Sequence, residues 1–111
     1  MRAPRQPAWE TPEATMTDPT VTVRQNTAEQ RFEGYVDGEL AGFTEYHLDG
    51  DVQVMPHTVT LPEHRGQGVA RAVVGAALEA AREAGRTVRP DCSYVRHLMR
   101  DEPQYADLLA D

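Results

Sequence analysis

Leu61-Pro62-Glu63-His64-Arg65-Gly66-Gln67-Gly68-Val69-Ala70 is the stretch on which the fold turns. Upstream, Val52 to Leu61 reads as a strand, with Pro56 as a bulge or bend. Downstream, Val69, Ala70, Val73, Val74, Ala77, Leu78 and Ala81 recur with the spacing of one helical face, while Arg71, Glu79, Arg82 and Glu83 occupy the rest. The spacing predicts a helix over Val69–Ala84, stopped by Gly85 as a left-handed cap. The segment is therefore a strand-to-helix turn. Its glycines let a ligand reach the main chain with no Cβ in the way. The first helical turn leaves its N–H groups unpaired and carries about +0.5 charge, which suits a diphosphate. Arg65 adds a planar fork of donors for phosphate oxygens. Spacing alone serves equally well a tight turn in which glycine answers only to geometry.

Working outward, the first half alternates in period two. Thr20–Arg24 and Arg31–Val36 read as strands, with a turn over Thr27–Gln30 between them. Asp37-Gly38 is a two-residue hairpin signal leading into Glu39–His47, and Asp49-Gly50 a second leading into Val52–Leu61. After the helix, Thr87–Arg89 forms a short strand ended by Pro90. Tyr94, Val95, Leu98 and Met99 mark a short amphipathic helix, and Pro103 opens a last one with Tyr105, Leu108 and Leu109 inward. The expected fold is a single small α/β (α+β) domain over residues 20–111. It has a four-strand antiparallel meander, a long helix after strand four, a fifth strand parallel to strand four through a right-handed crossover, and two short C-terminal helices. Residues 1–19 carry Pro4, Pro7, Pro12 and Pro19 with no apolar period, and read as a disordered or loosely docked tail.

Composition narrows the function. The chain has 111 residues and a net charge of −7, which argues against general nucleic-acid binding. All eleven cationic side chains are Arg, so there is no lysine for Schiff-base or P-loop chemistry. The single cysteine, Cys92, excludes an intrachain disulfide and a multi-cysteine zinc site, and His47 and His64 lack metal-ligand spacing. No apolar run is long enough to span a bilayer, and no secretory signal is visible, so the expectation is a cytoplasmic protein without metal, membrane or nucleic-acid partners.

Arg65-x-x-Gly68-x-Ala70 matches the R/Q-x-x-G-x-G/A acetyl-CoA signature, and the chain thereby resembles the GCN5-related N-acetyltransferases. Pro62 also stands where that family often has proline. The wider pattern is similar to the small YjdJ-type branch: His57-Thr58, then Arg65-Gly66-Gln67-Gly68, then Cys92-Ser93-Tyr94, with the Asp37-Gly38-Glu39 hairpin and the Pro103-x-Tyr105 helix. The resemblance spans Val21 to Leu109. It implies a sheet that splays between strands four and five. A pantetheine arm would pair with backbone around Val59, Thr60 and Leu61, and the pyrophosphate would lie on amides of Arg65, Gly66, Gln67, Gly68, Val69 and Ala70. The branch often places an acid two residues after the histidine; here that position holds Val59.

Acetyl transfer to an amine requires a neutral amine, a polarised thioester carbonyl and a proton for the departing thiolate. His57 is the candidate base, since imidazole titrates near neutrality; its bland alternative is a structural histidine at a strand bend. Cys92 is an acetylated nucleophile, a neutral lining group of the acetyl pocket, or a small buried hydrophobe. Tyr94 is a proton donor to the thiolate or, sharing a stripe with Leu98, a core residue; Tyr105 has the weaker form of the same ambiguity. Arg96, His97 and Arg100 form a basic face that meets CoA phosphates or simply solvent. The expected activity is acetyl-CoA-dependent acetylation of a primary amine, on a small molecule or a protein. The competing readings are a non-catalytic acyl-CoA-binding module and an interaction domain that has lost the ligand.

Overall fold

A computed structural model describes residues 21–110. The Pro-rich segment read as a tail, Trp9 included, lies outside them. The order is β1 (Thr22–Asn26), β2 (Arg31–Val36), β3 (Glu39–Asp49), β4 (Val52–Thr60), a 3-10 turn (Pro62–His64), α1 (Val69–Glu83), β5 (Thr87–Pro90), α2 (Ser93–Asp101) and a closing 3-10 helix (Pro103–Leu108). One sheet runs in the order β1-β2-β3-β4-β5, antiparallel except for the parallel β4–β5 pair. The expected topology is the observed one.

Local differences have local causes. β1 starts two residues later than the alternation suggests and continues to Asn26, whose side-chain carbonyl accepts the Glu29 N–H at 3.0 Å and so organises the following turn. At the first hairpin both Asp37 (φ 52°) and Gly38 (φ 83°) adopt the positive φ of a type I′ turn. The second hairpin is shifted by one residue. Asp49 pairs with Val52, so the loop is Gly50-Asp51, and only Gly50 takes positive φ (62°).

Two irregularities shape β4. Between the pairs Glu45↔His57 and His47↔Val54, β3 contributes one residue, Tyr46, and β4 two, Met55 and Pro56. This is the bulge expected at Pro56, placed where a residue without an N–H costs the ladder least. At the same level β4 leaves β5. Their pairing runs from Val52↔Thr87 to Met55↔Pro90, and the Cys92 N–H then donates to the Met55 carbonyl at 2.9 Å. Beyond that bond β4 continues to Thr60 while the other chain turns away into α2.

Helix α1 packs on one face of the sheet through Val69, Val73, Val74, Ala77, Leu78 and Ala81, all buried as the periodicity requires. Its end closes as a Schellman motif: the Arg86 N–H bonds the Ala81 carbonyl (2.9 Å) and the Gly85 N–H the Arg82 carbonyl (3.1 Å). Its beginning sits unusually low on the sheet because Gly34 and Gly42 pair beneath it. A Cβ at Gly34 would lie 2.9 Å from Val73 Cγ1, and one at Gly42 would run into the Val59 carbonyl oxygen and Val69.

The C-terminal segment covers the remaining apolar edge. Val95, Leu98 and Met99 of α2, with Tyr105 and Leu108, complete the main core around Phe32, Met55 and Val88. The final helix is 3-10 rather than α. Leu109, expected inward, is 53% exposed. It ends that helix in an extended conformation and pairs its backbone with Val88, the Ala110 N–H donating to the Val88 carbonyl at 2.8 Å, so its side chain points out.

The two helix-facing environments of glycine give opposite expectations. Gly42→Ala should cost about 1–3 kcal/mol by overpacking against backbone, lowering the melting temperature by at least ~4 °C. Gly75→Ala, whose new Cβ would meet only the Tyr105 hydroxyl at an ordinary 3.6 Å, should stabilise by about 0.5–1 kcal/mol. Thermal unfolding of both variants checks the pair.

Candidate active site

The parting of β4 and β5 leaves a strand edge free. The Leu61 N–H donates to the Ala41 carbonyl at 2.8 Å, in the same register as Phe43↔Val59 and Glu45↔His57. Antiparallel pairs alternate, so the main-chain groups of His57, Val59 and Leu61 serve β3, whereas those of Thr58 and Thr60 face the gap. Of the three residues expected to pair with a pantetheine arm, Thr60 presents its backbone there and Val59 and Leu61 present theirs to β3. Thr58 presents its backbone to the gap as well. Only the phase of the ladder reveals this, and a sequence does not state that phase.

At the end of that edge stands the turn. Gly66 and Gly68 both have φ of 80°, and a Cβ at either would meet nothing within 4 Å. The glycines therefore serve a left-handed backbone, and the space above them is open. Gly68 caps α1 with no side-chain hydrogen bond, and no acidic residue lies in the first turn. The helical ladder begins with the Ala72 N–H donating to the Gly68 carbonyl at 3.0 Å, so the amides of Val69, Ala70 and Arg71 stand ahead of it. Arg65 is exposed, and its guanidinium has no ion pair among the described residues. A helix start with no acidic residue in its first turn, preceded by left-handed glycines and with the Arg65 guanidinium beside it, suits the diphosphate of a CoA carrier.

His64, passed over in the sequence because it has no metal spacing, pins this turn. It is buried, its Nδ1 lies 2.7 Å from Gln67 Oε1, and its Nε2 lies 3.8 Å from Glu39 Oε1.

Two other candidate residues, His57 and Cys92, lie on the two arms of the gap. His57 is exposed on the sheet face opposite α1, and its ring makes no hydrogen bond among the described residues. The register brings Glu45 to it across the ladder as a carboxylate neighbour, although the two form no ion pair. Cys92 caps α2 and is half-buried. Its Sγ donates toward Thr58 Oγ1 at 3.5 Å, Thr58 Oγ1 lies 2.9 Å from Thr44 Oγ1, and Thr44 Oγ1 lies 3.4 Å from the His57 carbonyl oxygen.

Tyr94 does not pack in the core with Leu98. It is 37% exposed, because the buried stripe of α2 runs through Val95, Leu98 and Met99. Partial burial raises its hydroxyl above the ordinary tyrosine value, Arg71 opposing, so the phenol stays protonated at neutral pH. Tyr105, by contrast, is buried against α1. Arg71, held by Glu102 at 2.8 Å, lines a shallow open groove of about 380 Å³ that runs from Gly68 past Ala72, Gly75 and Glu79 to Tyr105. A cavity of about 580 Å³ lies around Tyr46, Gln53, Glu83 and Arg86, apart from the gap and the turn. Arg96, His97 and Arg100 are exposed on α2. Among the described residues no group of three or more His, Cys, Asp or Glu side chains could hold a metal ion, and no helix is long and apolar enough to cross a membrane.

Comparison with known proteins identifies the family and supports the fold. Residues 31–108 match the family model of the GCN5-related N-acetyl-transferases. The structure is similar to the solution structure of a GCN5-like candidate N-acetyltransferase from Staphylococcus aureus. That match has a TM-score of 0.63 and 26% identity, covering 79% of this chain and 86% of that one. The crystal structure of nourseothricin acetyltransferase is 33% identical over 70% of this chain, with a TM-score of 0.48; the match spans 44% of that enzyme. No curated protein matches. The chain belongs to the GCN5-related N-acetyltransferase family, whose members generally use acetyl-CoA.

Two carboxylates, half-buried Glu102 and exposed Asp107, tie the C-terminal segment to α1. Glu102 is held below the usual carboxylate range by its hydrogen bonds from Arg71 and Gln104, and Asp107 by the two-pronged contact from Arg82. A carboxyl with a lowered folded-state pKa stabilises the fold above its unfolded value, about 4, and the contribution is lost as pH falls through the folded value. Urea unfolding from about pH 6 down to about pH 3 should therefore destabilise the wild type more than Glu102→Gln/Asp107→Asn, the two converging in acid. Parallel pH curves would contradict the assignment.

Proposed function

We propose that the chain is an acetyl-CoA-dependent N-acetyltransferase acting on a primary amine. The observation that carries this reading is the continuity of two open main-chain surfaces. The unpaired edge of Thr58 and Thr60 leads directly to the uncapped start of α1 at Gly68. Acetyl-CoA supplies an activated acetyl thioester. The amides from Arg65 to Ala70, with the Arg65 guanidinium, bind the diphosphate. The groove from Gly68 to Tyr105 offers the nucleotide portion room beside Arg71. The N–H groups of Thr58 and Thr60 align the arm, and one of them is placed to bond the thioester carbonyl oxygen.

His57 accepts a proton from the ammonium form of the acceptor, directly or through one water, so that the nitrogen lone pair is free to attack. Its exposed ring, free of other hydrogen bonds among the described residues, suits that task better than a structural one. Tyr94, kept protonated, donates to the departing CoA sulfur and is reprotonated, through solvent, by the proton that the acceptor nitrogen loses as the amide forms; the proton taken earlier by His57 leaves to solvent. Glu45 stands in for the acid that the pattern lacks at Val59. Among the described residues little structure stands beyond the carrier site, so the acceptor meets an open sheet face rather than an enclosed pocket.

Two variants test the reading. Arg65→Ala should weaken CoA binding about tenfold or more by calorimetry, since a hydrogen bond to a charged group is worth ~1.5–3 kcal/mol. Its melting temperature should not change, because Arg65 has no partner among the described residues; unaltered affinity would refute the clamp. With an amine panel and release of free CoA as the readout, His57→Ala should lower kcat by about a hundredfold or more while acetyl-CoA affinity is retained. The reverse pattern would make His57 structural, and tight binding without turnover in the wild type would favour a binding module.

A further inference from the structure

We infer that the carboxylate of Glu45 selects the acceptor, favouring an amine that carries a second positive charge a few carbons from the nitrogen to be acetylated; this rests on the reading of His57 and the β4–β5 gap as the place of acetyl transfer. On the sheet face opposite α1, one row of side chains crosses the meander, because Asn26↔Arg31, Arg31↔Glu45 and Glu45↔His57 are direct ladder partners. Opposite charges that face each other across strands attract, so the row invites an ion pair between Arg31 and Glu45. That pair is not made. The Arg31 Nε–H donates along its own strand to Glu33 Oε2 at 2.7 Å, and its guanidinium lies 4.3 Å over the Phe43 ring. Asn26 leans the same way, donating to the same Glu33 oxygen at 3.0 Å, while the Tyr35 hydroxyl donates to the other at 2.7 Å.

Glu33 draws these donors because it is only 6% exposed, and a carboxylate so buried requires partners. Burial opposes its charge, yet the hydrogen bonds from Tyr35, Arg31 and Asn26 hold it below the usual carboxylate range. Asn26 and Arg31 are thereby spent on Glu33. Glu45 is left half-buried, with no hydrogen bond or ion pair among the described residues, although a cation stands directly opposite it in the ladder. A carboxylate in that state attracts a cation from solution, and the net charge of −7 adds to the pull. Its place fixes the kind of cation. Across the face the order is Glu45 on β3, His57 on β4 and then the gap. Neighbouring strands lie about 4.8 Å apart, so an amine reacting at the gap has Glu45 at ~5–7 Å. A saturated chain of about four carbons covers that span, its bonds being about 1.5 Å long. An ammonium at its far end meets the carboxylate, an alkyl end gains nothing from it, and a carboxylate end is repelled. Glu45 therefore binds the acceptor, and Glu33, Asn26 and Phe43 are positioning residues that keep Arg31 away from it.

The experiment measures acetyl-CoA-dependent release of CoA by the full chain with putrescine, butylamine and γ-aminobutyrate, which share a carbon chain and differ in the charge at the far end. The wild type should use putrescine with a kcat/KM at least about tenfold above that of butylamine, the scale of one hydrogen bond to a charged group, and γ-aminobutyrate least well. Glu45→Gln should bring putrescine and butylamine to within about threefold. Any help that Glu45 gives to proton removal acts on both amines and cancels in that ratio. Glu33→Gln should lower the ratio too, because Arg31 is released to its ladder partner Glu45; if that variant does not fold, Glu45→Gln decides alone. Equal use of the two amines by the wild type, or a ratio unmoved in Glu45→Gln, overturns the role of Glu45 and leaves acetyl transfer at the gap intact. Transfer to none of the three amines, with acetyl-CoA still bound in calorimetry, overturns the choice of acceptor alone. Absence of acetyl-CoA binding overturns the carrier site and this inference together.

Discussion

Two neighbouring main chains stop sharing hydrogen bonds at Met55 and Pro90, and the rest of the site depends on that separation. A parallel ladder carried on to Thr60 would leave no edge to receive a ligand. The bulge at Met55-Pro56 turns β4 at this level, and Pro90 ends β5, so neither strand can extend the pairing without rearrangement. The cost to the sheet is small, because the Cys92 N–H still satisfies the Met55 carbonyl and the chain then enters a helix whose backbone pairs internally. A polar edge is thereby exposed while the vertex beneath it stays closed.

The second constraint is the height at which α1 begins. Paired Gly34 and Gly42 let Val69 and Val73 settle onto β2 and β3, bringing the start of the helix level with the end of β4. His64 and Gln67 brace the intervening turn from within, while Gly66 and Gly68 hold left-handed conformations. The free edge of β4, the turn and the start of α1 follow one another along the chain. Side chains contribute charge and shape to this site more than its scaffold, which suits a small domain with little core to spare.

Much of this was legible in the residues because it is set by local rules. Asp37-Gly38 demands a turn with positive φ, the apolar spacing from Val69 demands a helix, and Pro56 in a strand demands a bulge. What was not legible depends on contacts far apart in sequence. Gly34 and Gly42 look like ordinary strand glycines until the helix is laid over them. Thr58, not Val59, presents its backbone at the free edge because ladder phase depends on a partner strand. Tyr94 and Leu109 look apolar enough to be inward, yet α2 buries the neighbouring stripe and Leu109 is drawn into backbone pairing with Val88. His64 carried no signal, because its partner Gln67 matters only once the turn is folded.

The central claim concerns main-chain N–H groups, so it is tested most directly by observing them. A titration of the ¹⁵N-labelled chain with CoA, followed by amide chemical shifts, reports each donor separately. The account predicts the largest changes at Gly66 to Arg71 and at Thr58 and Thr60, with the amides of β1 and the Gly50 hairpin unmoved. Saturating CoA that leaves the Gly66–Arg71 amides in place, or that shifts residues around Tyr46 and Gln53 instead, would contradict it.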